Sequence, residues 1–142
     1  PASKIVGKNG TIYAVDILKT VLNAVDKRIK DEGSENIKTV WSDLEMFKAT
    51  KIESNSLDAA LIIDTLYQSS QRAKFLREAI RMVKKGGRLL VIEWKNTASA
   101  IGPPPENRVE KESLKEGIKK MGMTVEEEFE AGEHHYGILF IK

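Results

Sequence analysis

FLREAIRMVKKGGRLLVIEW, residues 75–94, decides the reading of the fold. From Ser70 onward, Ala73, Phe75, Leu76, Ala79, Ile80 and Val83 recur at helical spacing, which predicts an amphipathic helix over 70–85. Arg81, Lys84 and Lys85 fall where the helix dipole favours cations, and Gly86 and Gly87 are expected to stop the helix. RLLVIEW (88–94) follows as an apolar strand. An amphipathic helix, a glycine turn and a buried strand make one repeat of an α/β fold.

Working outward, the same alternation continues. LDAALIID (57–64) is an uninterrupted apolar strand of the kind buried on both faces of a parallel sheet. TIYAVD (11–16) and NIKTVWSD (36–43) are further strands. Between them lies a helix over 17–30, with Leu18, Val21, Leu22, Val25 and Ile29 on one stripe and Gly33 as its C-cap. Residues 44–56 are a polar connection and 65–70 a loop. KNTASAIGPPPENR (95–108) is a second loop, stiffened by three prolines. A helix over 109–122 precedes two strands, 123–132 and 133–142, joined near Ala131–Gly132 as a hairpin. The order β-α-β-β-α-β-α-β-β implies an α/β, Rossmann-like fold. Its sheet is mostly parallel with helices on both faces, and its C-terminal strand is antiparallel. With no repeat or linker, residues 1–142 read as a single domain.

Composition narrows the function. The chain has 142 residues, 41% hydrophobic and 31% charged, enough to build a core. A formal net charge of +2 is too small to argue for nucleic acid. There is no cysteine, so thiolate catalysis, disulfides and thiolate metal sites are excluded, in keeping with a cytoplasmic location. The longest apolar runs, 59–63 and 89–92, are too short to cross a bilayer.

In open α/β sheets ligands bind beyond the carboxyl ends of the strands. Three predicted strands in succession end on Asp16, Asp43 and Asp64. Each aspartate could instead cap a helix. Together they favour a ligand rich in hydrogen-bond donors, such as a ribose with an adenine amine.

The acid-ended strands, the LYQ loop, FLREAIRMVKKGGRLLVIEWK and GPPPENR together resemble the class I S-adenosylmethionine-dependent methyltransferases, specifically the ubiquinone/menaquinone-biosynthesis subgroup. The resemblance covers essentially the whole chain. It implies S-adenosylmethionine as cofactor. Asp16 would then accept from the ribose hydroxyls, and Ile17 would pack on the adenine. Asp43 would accept from the adenine amine, with Leu44 lining the same pocket. Asp64, Leu66 and Tyr67 would lie near the methionine moiety and the transferred methyl group. The reaction implied is an in-line displacement that asks the protein for alignment and, for some acceptors, a base. Tyr67 and His135 are the candidates for a catalytic role. No metal is expected.

His134 and His135, adjacent on a regular strand, would face opposite ways, which argues against a two-histidine metal site. One of them is a candidate for the substrate cavity. Trp94 reads as core or rim packing, and the EEEFE run as the solvated face of an edge strand.

One part of the family pattern is missing. Its glycine-rich loop follows a first strand, whereas Gly7 and Gly10 precede the strand at 11–16. PASKIVG instead reads as the last turns of the helix after that loop, so the domain is expected to be N-terminally truncated. The family's strand order, 3-2-1-4-5-7-6, would leave a gap between the strands at 11–16 and 57–64. A longer parent protein, direct pairing of those two strands, or a second copy covering the gap would each answer it. The function implied is methyl transfer to a small-molecule acceptor, weak or absent in this chain alone. The alternative is a non-catalytic remnant acting as a dimerising or binding module. An NAD-binding domain also accommodates the strand-end acid, but the closing hairpin argues against it.

Overall fold

The computed structural model describes residues 1–97 and 101–142. Two compact units divide the chain, Pro1–Lys51 and Ile52–Lys142.

The first unit contains α1 (Ala2–Val6), β1 (Ile12–Asp16), α2 (Lys19–Glu32) and β2 (Ile37–Trp41). Within PASKIVG, Ala2–Val6 are helical. β1 and β2 pair in parallel, with Ile12 opposite Ile37 and Asp16 opposite Trp41. Asn36 ties α1 to the start of β2: its side-chain nitrogen donates to the Ser3 and Gly7 carbonyls, and its oxygen accepts from the Ser3 hydroxyl. α2 ends where Gly33 takes the left-handed conformation, φ 61°. The Gly33 and Ser34 amides then satisfy the Lys30 and Ile29 carbonyls. Leu22 alone of the predicted stripe is fully buried; Leu18 and Val21 are exposed.

The second unit holds the core. It contains β3 (Leu57–Ile63), a short 3-10 turn (Leu66–Gln68), α3 (Arg72–Met82), β4 (Val83–Trp94), α4 (Lys111–Lys120), β5 (Thr124–Glu130) and β6 (His135–Ile141). Its four-stranded sheet has the order β3-β4-β6-β5. β3 and β4 run parallel, while β6 is antiparallel to both β4 and β5. The predicted hairpin is therefore present, with β5 on the edge. Two-residue alternation sets the inner face: Leu89, Val91 and Glu93 of β4 stand opposite Phe140, Ile138 and Tyr136 of β6. All six are buried, and the five other than Glu93 pack with Leu66, Leu76 and Ile118. Gly137 is required because a Cβ there would come within 2.3 Å of the Phe129 ring.

α3 ends three residues before its predicted limit. The Arg81 and Met82 carbonyls accept from the Asn55 and Ser56 amides, so the segment entering β3 closes the helix. The chain turns extended at Val83, and the glycine pair lies within β4. Glu78, fully buried, forms a two-bond ion pair with Arg81, which also donates to the Ile52 carbonyl and the Ser54 hydroxyl. α4 begins at Glu110, whose carboxylate accepts from the Glu112 and Ser113 amides.

β1 and β3, the strands flanking the expected gap, belong to different sheets.

Candidate active site

In the first unit the acids stand where the pattern put them. Asp16 closes β1, and Asp43 lies two residues beyond the end of β2. The parallel register brings both strands to the same edge. Each aspartate supports its own turn with one oxygen. Asp16 Oδ1 accepts from the Leu18 amide at 2.7 Å, and Asp43 Oδ1 accepts from the Glu45 amide at 2.8 Å. Neither caps a helix, since α2 has Leu18 at its N-cap. The second oxygen of each makes no hydrogen bond among the described residues. Ile17 is 56% exposed, while Leu44 is half-buried. The Trp41 indole nitrogen donates to the Ile17 carbonyl, and Lys19 lies over the Trp41 ring. Two available carboxylate oxygens beside an exposed aliphatic side chain fit the hydroxyls and flat base of a nucleoside.

In the second unit the key feature is the turn after β3. Asp64 adopts φ 50°, a left-handed conformation that few residues other than glycine take. Its amide donates to the Ile92 carbonyl. The next two amides, of Thr65 and Leu66, donate to one oxygen of Glu93 at 3.0 and 2.6 Å. Glu93 thus anchors the turn from β4. Its other oxygen has no hydrogen-bond partner among the described residues. Burial raises the Glu93 carboxyl above the usual glutamate range, against the lowering effect of those two amides. The Tyr136 hydroxyl, opposite Glu93, donates to the Val109 carbonyl and is also pushed upward by burial.

Leu66 has no exposed surface; its side chain lies in the core, and its carbonyl accepts from Ser69 and Arg72. Tyr67 is half-buried and packs on the core. Asp64 and Tyr67 are both partly exposed on this turn, with Leu66 buried beneath.

The histidines depart from the expected geometry. β6 begins only at His135, so His134 belongs to the hairpin turn and the opposite-face rule does not govern it. Both rings approach Trp94, with centroids 6.4 Å away for His134 and 4.2 Å for His135. Trp94 is also covered by Gly102, where a Cβ would come within 2.5 Å of the indole. It is a packing post. His135 Nε2 lies 3.0 Å from Asp64 Oδ1. No group of acids and histidines able to hold a metal occurs among the described residues.

Arg108 fixes the proline loop. Its buried guanidinium donates to the carbonyls of Lys95, Thr97, Ile101 and Pro103. Residues 98–100 of that predicted loop lie outside the described residues.

Sequence reasoning missed Glu93 as a structural anchor. A signal was present: it shares the inward face with Leu89 and Val91, where a carboxylate must have a buried partner.

Known proteins are similar to this chain in sequence and in fold. The pattern of the ubiE/COQ5 methyltransferase family matches residues 2–103. The ubiquinone/menaquinone biosynthesis C-methyltransferase UbiE of Azotobacter vinelandii is 30% identical over 100 residues, covering 70% of this chain and 38% of that protein. The chain thus spans well under half the length of that curated relative. A SAM dependent methyltransferase from Aquifex aeolicus superposes with a TM-score of 0.87 at 26% identity, covering 99% of this chain and 73% of that one. The [4+2]-cyclase SpnF shares the fold, with a TM-score of 0.83 at 14% identity. The family resemblance, the α/β fold class and the cofactor class read from the sequence agree with these relatives.

Proposed function

Because the chain belongs to the ubiE/COQ5 methyltransferase family, we propose that it serves S-adenosylmethionine-dependent methyl transfer to a small-molecule acceptor. The observation that carries this reading is the pair Asp16 and Asp43, each holding one carboxylate oxygen ready for a donor. Bound S-adenosylmethionine supplies a methyl group made electrophilic by the positive sulfur to which it is attached. The chain's own residues bind and orient. Asp16 accepts from ribose hydroxyls with Ile17 against the base, while Asp43 accepts from the adenine amine beside Leu44. Asp64 and Tyr67 serve the reacting end. Leu66 contributes by supporting their turn from below.

These 142 residues alone are expected to bind the cofactor more weakly than micromolar. Gly7 and Gly10, the glycines ahead of β1, flank a turn between α1 and β1 and not a turn that follows a strand. Nuclear magnetic resonance suits weak binding. Titration with S-adenosylhomocysteine should shift the amides of residues 16–18 and 43–45 saturably, and Asp16→Ala should abolish those shifts. Saturable shifts with NAD and none with S-adenosylhomocysteine would overturn the reading.

A second reading is a non-catalytic module that dimerises or binds a partner. The exposed Trp41 (62%), Met46 (60%) and Phe47 (68%) favour it. It predicts a dimer by light scattering and no methyl transfer. The absence of cysteine accords with a cytoplasmic location, and among the described residues no helix is long and apolar enough to cross a membrane.

A further inference from the structure

We propose that the outer edge of β3 is a dimerisation edge, where a second copy of this chain adds its own β3 antiparallel across a two-fold axis at Ala60. The proposal names an interaction surface of the second unit and does not depend on the cofactor reading.

Three observations support it. First, the edge is unpaired. β3 ends its four-stranded sheet, with β4 on one side only. The Asp64 amide donates to the Ile92 carbonyl, in line with the parallel ladder to β4. Alternation then turns the backbone groups of Ala60 and Ile62 toward β4, and those of Ala59 and Leu61 away from it. The N–H and C=O groups of Ala59 and Leu61 make no hydrogen bond on that outer side among the described residues. Second, the strand is apolar. Residues 57–63, LDAALII, hold no proline, lysine or arginine and a single acid, Asp58. Leu61 is 62% and Ile63 48% exposed. Third, the opposite edge of the same sheet is guarded. β5 carries Glu126, Glu127, Glu128 and Glu130, and its register shifts between Val125 and Glu127. Charge and a bulge are the usual devices against edge-to-edge pairing, and from Ala59 to Ile63 β3 has neither.

Self-complementarity selects the occupant and the register. An added strand must be apolar on both faces, since Ala60 and Ile62 pack with the core while Leu61 lies on the other side. β3 is itself such a strand. Two copies related by a two-fold axis present the same patch to each other and meet antiparallel. The new bonds must join outward-facing groups. With the axis at Ala60, Ala59 of each copy exchanges both backbone hydrogen bonds with Leu61 of the other. Asp58 then lies opposite Ile62, and the two Ala60 residues form a close non-hydrogen-bonded pair that their small side chains permit. An axis at Leu61 would set Asp58 opposite Asp64, and like charges directly opposite are destabilising. The two four-stranded sheets thereby join into one.

The test uses the whole chain. Sedimentation velocity over a dilution series spanning the micromolar range should show wild type passing from monomer to dimer. An edge contact of this length is smaller than a standard interface, so the dissociation constant should be on the order of 10 μM. Leu61→Lys places two cations beside the axis and should weaken association at least about tenfold. Leu61→Pro removes an outward N–H while sparing the ladder to β4, and should do the same. Glu127→Lys, on the other edge, should leave association unchanged. Circular dichroism checks the fold of each variant. The chain has no cysteine, so Ala60→Cys gives one thiol per copy. Oxidised glutathione should link it into a disulfide dimer, because the facing Cα atoms would lie about 4.5 Å apart, whereas Glu127→Cys should remain unlinked. Wild type that stays monomeric throughout, or equal crosslinking of the two cysteine variants, would overturn the proposal. So would a dimer that survives Leu61→Lys but is lost in Phe47→Ser, which would put the contact on the first unit.

Discussion

Leu66 gives its amide proton to a carboxylate oxygen of Glu93 across 2.6 Å, inside the core of the second unit. This bond and its neighbour at Thr65 couple the floor of β4 to the turn that carries Asp64 and Tyr67. Glu93→Gln keeps an acceptor for both amides, whereas Glu93→Leu removes it and leaves two buried donors unpaired. Glu93→Leu should destabilise the second unit by about 2–4 kcal/mol, and Glu93→Gln by much less. Urea unfolding of the two variants checks the difference.

The same residue sets a pH dependence. Burial raises its folded-state pKa above the unfolded value. Its contribution to stability is therefore fully present below the ordinary glutamate range and falls as pH rises through the raised value. Glu93→Gln lacks this term. Urea midpoints measured at several pH values should show wild type losing ground to Glu93→Gln as pH increases from the ordinary glutamate range toward neutrality.

Glu110 behaves in the opposite sense. Hydrogen bonds from Ser113 and Glu112 lower its pKa, so its capping contribution exists above the usual range and is lost as pH falls through the lowered value. Glu110→Ala should fray the first turn of α4. Hydrogen exchange at the Glu112 and Ser113 amides should accelerate in the variant at neutral pH, and the difference from wild type should shrink in acid.

Arg108→Ala should loosen the proline loop. The side chain donates to four loop carbonyls from a buried position. Its loss should cost about 2–3 kcal/mol and release Trp94 from Gly102. Trp94 fluorescence, isolated in a Trp41→Phe background, should then shift toward that of a solvated indole.

Asp16→Asn should weaken S-adenosylhomocysteine binding by about tenfold or more, since a charge-assisted hydrogen bond becomes a neutral one. The turn-supporting bond to Leu18 can survive in Asn, so amide shifts outside residues 14–19 should stay at their wild-type values. Broad shift changes throughout the first unit would mark Asp16 as structural instead.

Much of this was legible in the chain. The period of the apolar residues located every strand and the three longer helices, because helical and extended chains bury different spacings. The end of α3 was not legible, because its last carbonyls are satisfied by Asn55 and Ser56, far away in sequence. The glycine pair therefore looked like a stop and lies inside β4. The positions of Asp16 and Asp43 at and just beyond strand ends were readable from the apolar runs that precede them. Glu93 was passed over although its inward position was countable, since a buried acid is meaningful only once its partners are known.

The sequence by itself determined the elements, the family and the cofactor class, because each rests on local periodicity or on motif order along the chain. Tertiary structure alone decided the division into two sheets, the pairing of β6 between β4 and β5, and the meeting of Asp64 with His135. Those two residues stand far apart in the chain. They meet because β3 and β6 both flank β4 and bring opposite chain ends to one edge, a consequence of strand order that no local pattern encodes.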